Sequence, residues 1–61
     1  MIKLTNAAEP YVGNTIIINP RYIISIFDAK DNDGNIVTYV FSSNKDTWQV
    51  KETSDEIYKQ L

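Results

Sequence analysis

The chain has no cysteine and no histidine among its 61 residues. That excludes a disulfide framework, the Cys/His sets of structural zinc, and any nucleophile activated by an imidazole or a thiolate. Long apolar runs are missing too. None exceeds three residues, as in Ile16-Ile17-Ile18, where a membrane span needs about 18. The two glycines, Gly13 and Gly34, stand alone, so no glycine-rich loop can cradle a phosphate. Residues 1–5 carry one charge and no apolar core of about seven residues, which does not read as a signal peptide.

Positive charge is scarce and scattered. Six Lys or Arg stand against eight Asp or Glu, for a net charge of −2. Residues 1–30 hold three positive and two negative charges, and residues 31–61 hold three positive and six negative. Affinity for a phosphate backbone needs several cations on one surface. Lys3, Arg21, Lys30, Lys45, Lys51 and Lys59 form no such cluster in sequence. This speaks against nucleic-acid and membrane partners; a nucleic-acid role would need folding to gather Lys3, Arg21 and Lys51. The expected compartment is the cytoplasm, with a virion as the alternative. Abundant Asn, Ile, Lys, Asp and Tyr suit an AT-rich coding sequence, as in some bacteria and their phages.

What is present is strand-forming. Residues 1–5 alternate, with Ile2 and Leu4 on one face and Lys3 and Thr5 on the other. Pro10 makes residues 6–10 a loop, and Gly13-Asn14 a turn. Thr15–Ile18 is β-branched throughout, which suits a pleated surface and crowds a helix. Asn19-Pro20 breaks that strand, and Arg21-Tyr22 forms one tight turn. In residues 23–28, simple alternation puts Ile24 and Ile26 on one face and Ile23, Ser25 and Phe27 on the other.

The sequence Asp31-Asn32-Asp33-Gly34-Asn35 is the strongest turn signal, with Gly34 free to adopt positive φ. Beyond it, Ile36–Ser42 sets Val37, Tyr39 and Phe41 against Ile36, Thr38, Val40 and Ser42. A turn at residues 43–46 leads to a last strand, 47–51, with Trp48 and Val50 on one side. Thr53-Ser54-Asp55-Glu56 is a capping box, and Asp55 and Glu56 suit a helix N-terminus. Ile57 and Leu61, four apart, share one face of the short helix.

These elements predict one domain over residues 1–61. Its class is α+β: a small antiparallel β-meander of four to five strands, as a bent sheet or open barrel, with one short C-terminal helix. Such a chain buries only about 60% of its unfolded surface. With apolar residues on both faces of two strands, a monomer would expose several of Ile17, Ile23, Phe27, Tyr39, Phe41 and Trp48. Patches of that kind mark interfaces. The expectation is a homo-oligomer that also meets another protein, with Tyr39, Phe41 and Trp48 as the candidate interface. A closed monomeric barrel is the alternative.

No motif carries chemistry. Setting Gly34 at position 6 of a calcium loop puts Asp33 and Asp31 at positions 5 and 3, but Ala29 at 1 and Val40 at 12. The hairpin reading is the better one. Asp31/Asp33 and Asp55/Glu56 already have turn and helix roles, and Ser25 and Ser42 lack a histidine base. Tyr22, Phe27, Tyr39, Phe41 and Trp48 could stack on single-stranded nucleic acid, but Thr38, Ser42, Asn44 and Asp46 flank them in place of cations. The expectation is no enzymatic activity, no cofactor and no metal.

The order of signals resembles a known family. Met1-Ile2-Lys3-Leu4-Thr5, Ile16-Ile17-Ile18-Asn19-Pro20, the strand from Ile23 and Trp48-Gln49-Val50-Lys51-Glu52-Thr53 are similar to the FlbD family of small flagellar and swarming-motility proteins. The likeness runs nearly end to end. It departs at residues 6–10, which replace an Asn-Gly turn, at residues 43–46, which lack the usual Gly, and at the longer 31–35 hairpin. The resemblance implies a small cytoplasmic accessory or regulatory protein with no catalytic residues to transfer. Chains of this kind also look at home on phages and mobile elements, which makes a phage-encoded virion or accessory structural protein the alternative. A second likeness, in the Met-x-x-Leu-Thr opening and Glu56-Ile57-Tyr58, is to the carbon storage regulator proteins, strand-swapped dimers that bind RNA. It carries over the dimeric β architecture and leaves a dimeric RNA- or DNA-binding regulator as a further alternative.

The capping box gives a first test. Thr53→Ala should lower stability by about 1 kcal/mol in a denaturant titration. A far-ultraviolet dichroism spectrum dominated by helix would contradict the strand assignments.

Overall fold

The computed structural model describes all residues from Met1 to Leu61. Five strands precede one helix: β1 (Ile2–Thr5), β2 (Thr15–Ile18), β3 (Ile23–Lys30), β4 (Ile36–Ser42), β5 (Thr47–Val50) and α1 (Ser54–Gln60). β1 and β2 form one antiparallel hairpin, and β3-β4-β5 form a three-stranded antiparallel meander. The two sheets meet where the chain beyond β1 runs beside β5. There Ala7 N–H donates to Gln49 O and Lys51 N–H donates to Thr5 O, with a bridge between Asn6 and Val50. The hydrogen-bonded path is therefore β2-β1-β5-β4-β3. It bends but does not close, and β2 and β3 remain edges.

Two turns connect the meander in the same way. Asp31 N–H donates to Asn35 O and Gly34 N–H to Asp31 O; Ser42 N–H donates to Asp46 O and Lys45 N–H to Ser42 O. Each is a three-residue loop whose last residue is left-handed, the usual demand of this hairpin type. Gly34 meets it at φ 82° and Lys45 at φ 72°. The Asp31 carboxylate fastens the first loop by accepting from Asp33 N–H and Asn35 N–H, each at 2.9 Å. Pro20–Tyr22 is a single 3₁₀ turn capped by the Asn19 side chain, which accepts from Arg21 N–H at 3.0 Å.

The core is aliphatic: Ile2, Leu4, Ile18, Val40, Val50 and Ile57, with Ile16, Ile23, Ile26 and Trp48 packed against it. Thr38 and Ser42 complete the inner face of β4 and satisfy their hydroxyls within the fold. Thr38 donates to Asp28, and the single Ser42 hydroxyl proton is shared between Asn44 Oδ1 and Asp46 O. α1 begins with the expected capping box, Glu56 N–H donating to Thr53 Oγ1 at 3.1 Å and Thr53 N–H to Glu56 Oε1 at 3.4 Å. Its Ile57 is fully buried and plugs one end of the bent sheet. No helix is long and apolar enough to cross a membrane.

Two expectations are corrected. Ile24 does not share a face with Ile26. The register steps from Ile23↔Ser42 to Ser25↔Phe41, so Ile24 is the extra residue of a β-bulge. The interruption returns both Ile23 and Ile26 to the core and leaves Ile24 62% exposed. Leu61 does not join Ile57: it lies past the last helical residue and is 60% exposed. Strand limits also shift slightly, since β3 continues to Lys30 and β5 ends at Val50.

The matched turns make opposite predictions. A left-handed conformation costs an ordinary L-residue about 1–2 kcal/mol. Lys45→Gly should therefore raise stability by up to about 1 kcal/mol, part of the gain being returned to the more flexible unfolded chain. Gly34→Ala should lower it by about 1 kcal/mol, although no atom crowds the new Cβ. Denaturant midpoints of the two variants check both signs.

Candidate functional site

β4 is the central strand of the meander, so its alternate residues divide cleanly between two faces. Thr38, Val40 and Ser42 face the core; Val37, Tyr39 and Phe41 face outward and are half-buried by their neighbours alone. The register brings Ser25 and Thr47 on either side of Phe41, and Phe27 and Gln49 on either side of Tyr39. The outer face is thus two full rows, Ser25–Phe41–Thr47 and Phe27–Tyr39–Gln49, with Ala29–Val37 as a shorter third. None of these residues is charged. The Phe27 and Tyr39 rings stack with centroids 5.3 Å apart and planes 23° from parallel, a pairing worth about 0.5–1.5 kcal/mol beyond area burial. No layer covers them: α1 places Ile57 in the core on the other side of the sheet.

Of the three interface candidates, Tyr39 and Phe41 come together here. Trp48 does not join them. It pairs with Val40 and packs on the core cluster from the inner face. Phe27 takes the third aromatic place. The hairpin itself carries the signal for it: a turn centred on Asp33 sets residue 27 opposite residue 39.

The edge beside this face is open. Asp31 N–H bonding to Asn35 O fixes the alternation along β3 and β4. Ser25, Phe27 and Ala29 direct their backbone groups toward β4, so those of Ile26, Asp28 and Lys30 point away, where no strand lies. The other possible gap, along β1, is filled. Thr5 N–H donates to Glu52 Oε1 at 2.8 Å and Thr5 Oγ1 donates to Glu52 Oε2 at 2.9 Å. The Gln60 amide accepts from Lys3 N–H at 3.3 Å and donates to Lys3 O at 3.2 Å.

Elsewhere several polar side chains hold the fold together. The hollow beside α1 is lined by Asp28, Thr38, Lys51, Ser54 and Asp55 among others. Asp28 there accepts from Thr38 Oγ1 at 3.1 Å and Ser54 Oγ at 3.0 Å, tying the helix start to β3. No three acidic side chains converge as a metal site would require. Arg21 and Lys51 are at opposite ends of β1: Arg21 lies beyond Ile18, the partner of Ile2, and Lys51 bonds to Thr5. No family model, curated protein or solved structure matches the chain.

Glu52 is the group whose titration the fold alters. Burial works to raise its pKa. The Thr5 N–H, the Thr5 hydroxyl, its own backbone N–H and nearby Lys51 outweigh burial and hold it below the usual carboxylate range. A depressed carboxylate stabilises the fold above its unfolded pKa of about 4.3 and loses that contribution as pH falls through the lower folded value. Glu52→Gln should cost about 1–2 kcal/mol at pH 7, since the amide cannot accept from both Thr5 donors. It should also flatten the loss of stability below about pH 4.3. Melts of both chains between neutral and acid pH check this.

Proposed function

We propose that the protein is a small non-catalytic interaction module that acts as a homo-oligomer, joined through its strand edges and the adjoining outer aromatic face of β3, β4 and β5. The observation that carries the reading is the uncovered, uncharged aromatic face of Phe27, Tyr39 and Phe41, rimmed by Ser25, Thr47 and Gln49. Apolar centre and polar rim are the anatomy of a protein–protein contact. Aromatic side chains dominate the energetics of such contacts, and a face without ions docks without desolvating one.

The chemistry of the side chains supports a non-catalytic role. Without His or Cys, proton transfer and nucleophilic attack would fall to carboxylates and hydroxyls. Asp28, Asp31 and Glu52 already hold strand, turn and helix in place. The FlbD resemblance extends the reading to a cytoplasmic accessory or regulatory protein, whose oligomer presents its surface to a further protein.

Mass in solution tests it. Sedimentation at tens of micromolar should give about 14 kDa or more, twice the 7.0 kDa of one chain; a value of 7.0 kDa rejects the reading. Phe27→Gln alters an exposed ring outside the core and should weaken association about tenfold or more. Its dichroism spectrum should keep the parent's shape, while loss of the stack on Tyr39 lowers its stability by about 0.5–1.5 kcal/mol.

A further inference from the structure

We infer that the free edge of β3 pairs with β3 of a second copy, antiparallel about a two-fold axis at Phe27. The inference rests on the oligomeric reading above and gives it a geometry. Two edges are open in the bent sheet. β2 offers four residues, and β3 offers eight. The outward N–H and C=O groups of Ile26, Asp28 and Lys30 recur at every second residue, the spacing an added antiparallel strand requires.

A two-fold axis restricts which residues can face each other, because each pairing must occur twice. Centred on Phe27, Ile26 meets Asp28 of the second copy, Ser25 meets its Ala29, and Ile24 meets its Lys30. That register pairs residues 25–29 of the flat part throughout and leaves the bulge at Ile24 at the outer end, opposite Lys30. Centring on Asp28 instead sets two carboxylates directly opposite each other, a like-charge pair. Centring on Ile26 carries the bulge at Ile24 inward against Asp28 of the second copy, where it interrupts the ladder. Centring on Ala29 leaves only residues 28–30 paired as strand. The Phe27 register avoids all three.

The ring of Phe27 points to the same axis. On the β4 side it stacks on Tyr39 at 5.3 Å. On the edge side no strand adjoins it, and it remains 45% exposed. The two-fold supplies a second Phe27 there, as a directly opposite cross-strand pair. The row Gln49–Tyr39–Phe27 then continues into the second copy as Phe27–Tyr39–Gln49, a stripe of four rings across a six-stranded sheet. No charge lies in that row, so the copies meet without ionic repulsion at the axis.

Because the chain has no cysteine, single-cysteine variants read the register directly. In the proposed pairing Ser25 faces Ala29 of the second copy as a non-hydrogen-bonded pair. Their Cα atoms would be about 4.5 Å apart, within the span of about 4.4–6.8 Å that a disulfide bridges. Ser25→Cys and Ala29→Cys both keep Phe27. Mixed and oxidised, they should form the mixed disulfide about tenfold faster or more than either self-linked dimer. They should also outpace Ile17→Cys, placed on the β2 edge. A dimer-sized mass without preference for the mixed disulfide overturns this register and leaves the oligomeric reading standing. A mass of 7.0 kDa with no preference overturns both, and is also the outcome if the β3 edge takes a strand from a different protein.

Discussion

Between the two sheets, β1 has one edge on β2 and the other on no single strand. Backbone groups removed from water must still find partners, so that second edge has to be completed piece by piece. Near its end, Thr5 O accepts from Lys51 N–H. Where the chain turns away after β5, the Glu52 carboxylate takes the Thr5 N–H and hydroxyl, and the Gln60 amide takes both backbone groups of Lys3. Two side chains thus stand in for a missing strand. They also set the position of α1, since Glu52 precedes it and Gln60 ends it, and Ile57 between them drops into the core.

With β1 closed in this way, β2 and β3 are left as the two ends of the hydrogen-bonded path. The bent sheet has enough aliphatic side chains for one face, and only 8 of 61 residues become buried. None of the seven aromatic residues is among them. Thr38 and Ser42 are the small residues on the inner side of β4, and the bulky Tyr39 and Phe41 go outside. The outer aromatic face and the long β3 edge are therefore adjacent for one reason. Both belong to the meander and lie where no other strand or helix covers them, the start of α1 touching β3 only through Ser54 and Asp28 on the inner side.

Much of this was legible in the sequence, for definite physical reasons. The β-branched Thr15–Ile18, the Asp33-Gly34 turn and the Thr53–Glu56 capping box are local signals, and each formed where expected. The bulge at Ile24 was hidden because three isoleucines in four residues fit either parity, and the choice is made by β4 across the ladder. Leu61 lay at the right spacing but past the last turn of the helix. Tyr39 and Phe41 were correctly set on one face of their strand. Trp48 had its face fixed only by the second hairpin, which pairs it with Val40 on the inner side. The roles of Glu52 and Gln60 join residues 47 and 57 positions apart in sequence, and no local pattern encodes such contacts.

The central claim is that the unpaired backbone groups of β3 are the ones a second copy covers. Residue-resolved amide exchange at several protein concentrations tests it most directly. The account predicts slow exchange at Phe27 and Ala29 at every concentration, because β4 holds them. Ile26, Asp28 and Lys30 should exchange fast in dilute solution and slow down as concentration rises. Amides of Ile26, Asp28 and Lys30 that stay fast at all concentrations, or protection that develops at Thr15 and Ile17 on β2 instead, would contradict it.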